Sequence, residues 1–255
     1  KEYKGDRKPI RLNRTIKNLS QYEVLENKIW QQARLMEYLN ATPIIQLVLN
    51  SVEADDIISY VAQHSSLDGW QKVIVSSDKD FYQLCDDETI VFRPVQKETL
   101  NKIDVLEKFG IHPTNFALAR ALAGDKSDNL PGVEGVGLAT VAKRLPFLSE
   151  DKSCTINEVY KYCKKIDSKV KAYENIVEQI DIVKLNYKMM QLYSPSIPIQ
   201  GKNKIEYSLE EFEYHFNKTE IRKMMIQDGF GNFNWDDLFL RLNRISVIKE
   251  QGQLW

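Results

Sequence analysis

Cysteine and histidine are scarce in this chain, which has three of each among 255 residues. The cysteines lie far apart and form no CxxC pair, so a disulfide framework or a cysteine-based zinc site is not expected. Free thiols favour a reducing compartment, which predicts a cytoplasmic location. The histidines, at positions 64, 112 and 215, are scattered outside the acidic clusters, so catalysis by histidine is not expected.

Long apolar runs are also missing. No segment approaches the roughly 20 apolar residues that span a bilayer, and no signal peptide is visible, so no membrane association is predicted. A hydrophobic content of 43% with 28% charged residues is typical of a globular protein. The length allows one large domain or two lobes.

The net charge of −1 conceals an uneven distribution. Residues 1–17 contain seven basic and two acidic side chains, whereas residues 53–88 contain nine acidic and two basic ones. A basic segment beside an acidic centre fits a phosphate backbone that is steered towards metal ions. A solvated basic arm is the alternative explanation for the first segment alone.

The pattern before residue 100 predicts an α/β lobe. Apolar residues at helical spacing indicate a helix from about 17 to 39, and IIQLVL at 44–49 has the composition of a buried strand. An amphipathic helix is expected over 53–64, a second buried strand over 72–76 and a short strand over 90–92. Strand, helix and strand at this spacing form a parallel unit.

After residue 100 the pattern becomes helical. A helix over 101–109 is expected to end at Gly110, and Pro113 is expected to open the next helix, towards Ala123. A long helical stretch is predicted over 169–190, and a last amphipathic helix over 235–245.

Two sequences have the spacing of a capping box, Thr155 to Glu158 and Ser208 to Glu211. Pro195 and Pro198 are expected to interrupt the helical pattern between them. An all-helical lobe is therefore predicted to follow the α/β lobe.

Seven acidic residues fall in three tight clusters, namely Glu53, Asp55 and Asp56, then Asp78 and Asp80, then Asp125 and Asp128. The first two clusters follow predicted strands, where the carboxyl ends of parallel strands form a ligand-binding crevice. Two carboxylates about 4 Å apart repel by roughly 4 kcal/mol at an effective dielectric near 20. Bound Mg²⁺ or Mn²⁺ would offset this repulsion, because hard cations prefer oxygen ligands. Helix capping and surface turns remain the alternatives for each cluster alone.

A glycine-rich hairpin follows the third cluster, in NLPGVEGVGLATVAKRL at 129–145. Its valines and leucines can pack between two helices, while the glycines allow a tight turn. Backbone N–H groups near Gly135 to Leu138 would open the second helix, where a phosphate oxygen binds well. Such contacts follow the nucleic-acid backbone and read no bases. A structural turn between packed helices is the alternative.

Several motifs occur in an order that resembles the 5′ nuclease family. These are VEADD, VIVSSDKDFYQL, GIHP at 110–113 and LAGDKSDNLPGVEGVG. The family includes bacteriophage flap endonucleases, RNase H-type 5′-3′ exonucleases and the 5′-nuclease domain of bacterial DNA polymerase I. The resemblance implies a PIN-like parallel-sheet lobe over residues 1–110, with a basic arch at about 8–26. It also implies a helical lobe over 111–255, with a helix-hairpin-helix at about 113–146.

The resemblance also implies roles for individual residues. Glu53, Asp55, Asp56 and Asp78 would serve the nearer of two Mg²⁺ or Mn²⁺ ions, and Asp80, Asp125 and Asp128 the second. Lys4 and Arg7 would contact the scissile phosphate as catalytic residues. The expected DNA-binding residues are Tyr3, Arg11, Arg14, Gly135, Val136, Gly137, Thr140 and Lys143. The carbonyls of Val133 and Val136 would hold a potassium ion.

The chain departs from the family pattern in two places. The family has further metal-binding aspartates on two strands before the YKGDR element, so the sheet is expected to be incomplete at its N-terminus and this polypeptide to cleave poorly. A lysine often follows the third glycine of the hairpin, whereas Leu138-Ala139-Thr140 stand here. Thr140 or Lys143 is expected to take over that phosphate contact.

The expected function is Mg²⁺-dependent hydrolysis at 5′ flaps, nicks or RNA primers of DNA during replication or repair, by a monomer. Replication proteins such as a single-strand binding protein or a clamp are the expected protein partners, in the host cytoplasm if a phage encodes the chain. The main alternative is a DNA-binding helix-hairpin-helix module with a vestigial metal site. A metal-dependent transferase using the Asp78–Asp80 pair is a weaker one, because it leaves the hairpin unexplained.

Overall fold

The computed structural model describes residues 20–211, 215–230 and 234–250, which form two compact units. One unit contains residues 50–198, and the other contains the described parts of residues 20–49 and 199–250. The first unit therefore includes residues on both sides of position 110, because one apolar core runs from Ala62 to Leu192. The division at residue 110 stays a prediction.

The first unit begins with helix α2 (Ala54–Ala62) and a small sheet. Strand β1 (Lys72–Val75) pairs in parallel with β2 (Thr89–Arg93), and β2 pairs antiparallel with β3 (Glu98–Leu100). The predicted parallel pair is therefore confirmed, whereas β3 was not expected. One face of β1 is exposed, since Val73 and Val75 are open to solvent and only Ile74 is buried, so its interpretation as a fully buried strand was wrong.

Six helices follow in the same unit. They are α3 (Lys102–Phe109), α4 (Phe116–Ala123), α5 (Leu138–Arg144), α6 (Ile156–Lys165), α7 (Lys171–Glu178) and α8 (Ile180–Met190). A two-stranded hairpin of β4 (Gly124–Asp125) and β5 (Leu130–Pro131) lies between α4 and α5. The expected single helix over 169–190 is two helices, α7 and α8, which are separated at Gln179.

The predicted helix boundaries hold where the local chemistry is specific. Gly110 ends α3 in the left-handed conformation at φ 66°, as expected for a glycine that follows a helix. Thr155 and Glu158 form a reciprocal capping box at the start of α6. The second predicted box was wrong, because Ser208 lies inside a helix and its hydroxyl donates to the carbonyl of Lys204 at 2.8 Å.

The second unit is helical in its described part. It contains α1 (Gln21–Asn40), α9 (Ile199–Glu210), α10 (Lys218–Gln227) and α11 (Trp235–Glu250). Helix α1 begins at a Ser20–Glu23 capping box, close to the predicted start. The buried centre of the second unit contains Ala41, Ile221 and Met224. None of the described helices is long and apolar enough to cross a membrane.

Residues 44–49 do not form the predicted strand. A strand requires a neighbour that accepts and donates backbone hydrogen bonds, and neither sheet in the described part of the chain includes this segment. Ile44 and Val48 are exposed, and the Val48 carbonyl accepts a hydrogen bond from Lys204 Nζ at 2.9 Å instead. The apolar side chains that indicated a strand are therefore only partly buried.

Candidate metal and nucleic-acid site

The first acidic cluster lies at the N-terminus of α2. Glu53 is the N-cap residue, and Asp55 and Asp56 occupy the first turn with half-buried side chains. Negative charge is favourable there because of the helix dipole. The Ser59 hydroxyl of the same helix donates to the Leu192 carbonyl, which fixes α2 against the segment after α8. The cluster is therefore carried by an anchored helix.

The second cluster follows β1, as the sequence predicted. The Asp78 N–H donates to Ser76 Oγ at 3.1 Å, and the Asp80 N–H donates to Asp78 Oδ1 at 3.0 Å. These bonds form a tight turn in which Asp80 begins a 3₁₀ helix that extends to Leu84. The turn therefore holds the two carboxylates of the DKD sequence close together.

Asp80 and Asp125 converge on one side chain, Arg120 of α4. Arg120 Nε donates to Asp80 Oδ1 at 2.9 Å, and Nη2 donates to Asp125 Oδ2. The Arg120 side chain is only 10% exposed. A planar guanidinium can engage two carboxylates at once. Arg120 therefore connects the acidic cluster after β1 with the one in the β4–β5 hairpin.

The two carboxylates titrate differently. Burial raises the pKa of Asp80 to about 6 although Arg120 opposes it, and the charges of Asp78 and Asp125 add to the effect of burial. Burial also acts on Asp125, but hydrogen bonds from Ser127 and Arg120 outweigh it and lower the pKa of that carboxyl. Ser127 donates to Asp125 Oδ1 from its backbone N–H at 2.7 Å and from its hydroxyl. The two carboxylates therefore differ in their tendency to ionise although both accept hydrogen bonds from Arg120.

Over residues 20–211, 215–230 and 234–250, no group of three or more His, Cys, Asp or Glu is placed to hold a metal ion. The seven predicted ligands are thus not gathered into one centre. Asp78 and Asp125 nevertheless lie close enough to Asp80 for their charges to contribute to the raised pKa of that carboxyl. Their carboxylate oxygens are the donors that Mg²⁺ and Mn²⁺ prefer. The oxygen donors are therefore of the chemical type that suits a divalent cation, but among the described residues they are not arranged around one ion, and Arg120 supplies positive charge to Asp80 and Asp125.

The glycine hairpin depends on close backbone contact at its base. A Cβ atom on Gly132 would lie 2.1 Å from the Ala123 carbonyl oxygen, and one on Gly124 would lie 2.2 Å from the Gly132 nitrogen. Only glycine allows two backbones to approach so closely. Asp128, in the loop between β4 and β5, is 8% exposed. The glycines thus bring the third acidic cluster up against the end of α4.

The second part of the hairpin leads into α5. Val133 and Val136 are buried, and the Val136 N–H donates to the Val133 carbonyl at 3.0 Å. Gly135 has φ 72°, while Gly137 is the N-cap residue of α5. The predicted packing between two helices is confirmed, because Val141 and Leu145 of α5 are also buried.

The predicted DNA-binding residues of this hairpin lie on or beside its surface. Gly135, Gly137 and Lys143 are exposed and Thr140 is half-buried, whereas the Val136 side chain faces the core. The predicted residues Tyr3, Lys4, Arg7, Arg11 and Arg14 lie outside the described residues, as does most of the predicted arch at 8–26. Their roles stay predictions.

Two residues of the site were missed by the sequence reasoning. Arg120 is the single charged residue in the helix FALARALA, and that isolation was the available signal. Asn186 of α8 is 1% exposed, and its Nδ2 donates to the carbonyls of Ala121 at 3.0 Å and Pro131 at 2.8 Å. It thereby ties α4 to the end of the hairpin, and no local sequence pattern distinguishes it from other helical asparagines.

Residues 1–110 match the family model described as 5′-3′ exonuclease, N-terminal resolvase-like domain. The chain is 31% identical over 208 residues to the 5′-3′ exonuclease of Aquifex aeolicus, covering 76% of this chain and 67% of that protein. The chain belongs to the 5′-3′ exonuclease family. The resemblance inferred from the acidic motifs and the hairpin is thereby confirmed.

A second relative is much longer than the chain. The chain is 30% identical to DNA polymerase I of Bacillus subtilis over 99% of its own length but only 26% of the polymerase. The fold resembles the bacteriophage T5 D15 protein that was co-crystallised with metal ions, with a TM-score of 0.63 at 17% identity. That match covers 82% of this chain and 76% of the T5 protein. The predicted mixed α/β fold with a helical region is therefore confirmed.

Proposed function

We propose that this chain is a divalent-metal-dependent, structure-specific 5′ nuclease that hydrolyses phosphodiester bonds at 5′ flaps, nicks or RNA primers of DNA. The observation that supports the proposal most is the convergence of Asp80 and Asp125 on Arg120 at the base of the glycine hairpin. In a 5′-3′ exonuclease family member, clustered carboxylates beside a backbone-binding turn combine the two features that phosphodiester cleavage requires.

The residues that would hold the divalent ions are Glu53, Asp55, Asp56, Asp78, Asp80, Asp125 and Asp128. Ions bound there would lower the pKa of a water molecule and neutralise charge that develops on the phosphate. The T5 D15 protein was solved with metal ions, which agrees with this assignment at the level of the fold. Mg²⁺ or Mn²⁺ is proposed because the donors are oxygens.

The chain's own side chains orient these groups. Arg120 keeps Asp80 and Asp125 in fixed positions, and the Ser127 bonds favour the ionised form of Asp125. Lys4 and Arg7 are proposed to hold the scissile phosphate. Hydrolysis then forms a bond from a water oxygen to phosphorus and breaks one phosphorus–oxygen ester bond, and a proton moves from the water to the leaving oxygen.

The substrate is proposed to be held through its backbone. Gly135, Val136 and Gly137 would present N–H groups to one strand, while Thr140 and Lys143 add a hydroxyl and a positive charge beside them. Tyr3, Arg11 and Arg14 would contact the displaced 5′ strand. A potassium ion on the carbonyls of Val133 and Val136, and replication proteins as partners, complete the proposal.

The test is cleavage of a 5′-labelled flap with Mg²⁺ or with EDTA. Asp78→Ala and Asp128→Ala are expected to lower the cleavage rate about 100-fold or more, since even residues that only support a metal ligand contribute up to this much. Asp181→Ala is the matched control, because Asp181 is exposed and pairs with Lys184. Cleavage in EDTA, or equal loss in the control, would refute the proposal.

A second candidate is a DNA-binding module without catalysis. It is favoured by the lack, among the described residues, of a group of three or more side chains placed to hold a metal ion. In that case the chain binds the flap with unchanged affinity in Mg²⁺ and EDTA and cleaves it in neither. The same cleavage assay, combined with a binding measurement, separates the two candidates.

A further inference from the structure

We propose that the second unit carries a binding site for single-stranded nucleic acid in a pocket between α10 and α11. The pocket has a volume of about 630 Å³. Its lining residues are Lys218, Thr219, Arg222, Lys223, Ile226, Gln227 and Phe239. Three of these side chains are cationic and none is acidic, so the pocket fits an anionic ligand.

One face of α10 provides most of the pocket. Lys218, Arg222 and Ile226 follow each other at four-residue spacing, which places them on the same side of the helix. The opposite side contains Ile221 and Met224, which are 2% and 4% exposed in the centre of the unit. The helix is thus held by its buried face, and its basic face is available to a ligand.

The positive charge of the pocket is not neutralised by the described part of the protein. Arg34 and Arg241 of this unit form salt bridges, whereas Arg222 and Lys223 form none within the described residues. Lys218 Nζ lies 5.4 Å from the centre of the Phe216 ring, a contact that leaves its charge in place. Like charges four residues apart destabilise a helix, so a bound anion would relieve repulsion between Lys218 and Arg222.

The pocket also has an apolar wall. The Ile226 side chain is 56% exposed, and the Phe239 ring lines the pocket while contacting Phe216 and Trp235 at centroid distances of 5.9 and 6.1 Å. Aromatic rings held in this way can stack on bases regardless of their identity. A nucleotide of an unpaired strand offers a phosphate to the cations and a flat base to the wall. Duplex DNA keeps its bases paired, and an acidic peptide has no equivalent flat face in each residue.

The choice of nucleic acid as the ligand rests on the proposed nuclease function, but the site is made only from residues of the second unit. The predicted metal ligands belong to the first unit. Binding by the pocket can therefore be measured in EDTA, where metal-dependent cleavage is stopped. This separates a failure of the pocket proposal from a failure of the nuclease proposal.

The experiment measures fluorescence anisotropy of a labelled 12-nucleotide oligothymidylate with the full chain in EDTA over a range of salt concentrations. The variant combines Lys218→Gln, Arg222→Gln and Lys223→Gln. We expect it to bind about tenfold or more weakly at low salt and its log–log salt slope to shrink by about 2, because each phosphate contact to a single strand contributes about 0.7.

The matched control removes three charges from α6 with Lys161→Gln, Lys164→Gln and Lys165→Gln, which are exposed in the first unit. The control is expected to change the affinity less than threefold, in keeping with a loss of net charge alone. Equal loss in the two triple variants would overturn the proposal, because it would assign the binding to overall charge.

Phe239→Leu tests the stacking contribution separately. We expect weaker binding of the oligothymidylate with an unchanged salt slope, in a variant whose thermal unfolding curve confirms that it is folded. Preference for a duplex of the same length, or tighter binding of an oligoglutamate peptide than of the oligothymidylate, would overturn the assignment. If the triple variant binds the oligothymidylate as tightly as the native chain does and cleaves the flap normally, the pocket proposal is rejected and the nuclease proposal is unaffected.

Discussion

Arg120 is the residue through which two acidic clusters share one positive charge. Its guanidinium is nearly buried and donates to Asp80 and Asp125, while burial acts against its own charge and the two carboxylates raise its pKa. A buried ion pair contributes little net stability compared with an apolar replacement, yet removal of one partner is costly because it leaves an uncompensated buried charge. Arg120 is therefore expected to matter most for the position of the carboxylates.

The first prediction concerns the stability contributed by this residue. Arg120→Gln should lower the free energy of unfolding by about 3–5 kcal/mol, because Asp80 and Asp125 then lack their shared partner. Arg120→Lys should recover only part of the loss, since an ammonium cannot present a planar fork to two carboxylates. Urea unfolding of the metal-free protein measures both effects.

The matched control for Arg120 is Lys184→Gln. Lys184 pairs with Asp181 at an exposed position, where an ion pair contributes between about 0 and 1 kcal/mol. An Arg120→Gln variant as stable as the Lys184→Gln variant would show that the Arg120 contacts do not hold the site together.

At the scale of single residues, the sequence indicated the acidic residues of the site but not the side chains that contact them or hold the surrounding backbone. The acidic clusters were recognisable because several carboxylates in short segments exceed what helix capping requires. Arg120 and Asn186 were missed because each has a partner that is distant in the chain, 40 residues away for Arg120 and Asp80 and 65 residues away for Asn186 and Ala121. Contacts over such distances leave no periodic signal in a single sequence.

Helices α1 and α10 are connected by a polar contact in the second unit. Arg34 Nε and Nη2 donate to the two carboxylate oxygens of Asp228, at the end of α10, at 2.7 and 3.1 Å. The Tyr38 hydroxyl donates to the same carboxylate at 2.5 Å. The hydrogen bond from Arg34 lowers the pKa of Asp228, and Tyr38 acts in the same direction. Burial, followed by the hydrogen bond to Asp228, raises the pKa of Tyr38 to about 12.

This contact predicts a pH dependence of stability. Because the pKa of Asp228 is lower in the folded protein than its ordinary value of 3.8, its contribution is present above that value and is lost as the pH falls further. The melting temperature of the native chain should therefore fall more steeply below pH 3.8 than that of Asp228→Asn. Thermal unfolding monitored by circular dichroism at each pH provides the comparison.

Asp237→Asn is the control for this pH dependence, because Asp237 pairs with Arg241 four residues away on an exposed helix face. Its melting curves should parallel those of the native chain at every pH, since exposed pairs of this kind contribute little. Parallel curves for Asp228→Asn and the native chain would contradict the assigned contact.

Elements with specific end signals were predicted accurately, and those that depend on distant pairing were not. The capping box at Thr155 and the left-handed Gly110 act within a few residues, so the sequence shows them directly. Residues 44–49 have a strand-like composition but no pairing partner in the described sheets. Strand β3 has only three residues, and it forms a strand because it pairs with β2. Strand pairing depends on the whole fold, which composition alone does not encode.

At the scale of the whole molecule, the predicted order of an α/β part and a helical part is confirmed. The contacts also divide the helices between two units in a way that their order along the chain did not indicate. Helices α3 to α8 share one apolar core with the sheet, whereas α1 is grouped with α9, α10 and α11. A chain segment can belong to a unit that is distant in sequence, because packing depends on apolar faces rather than on chain order. The proposed metal ligands all lie in the first unit and the basic pocket in the second.

The central claim is that the carboxylates around Arg120 bind the divalent ions that support cleavage. The most direct test is a Mn²⁺ titration of the full chain that follows ion binding by calorimetry and flap cleavage in parallel, for the native protein and for Asp80→Asn with Asp125→Asn. The account predicts that cleavage rises over the same Mn²⁺ range as binding, and that the double variant loses both. Undiminished Mn²⁺ binding by the double variant, or cleavage that does not follow binding, would contradict it.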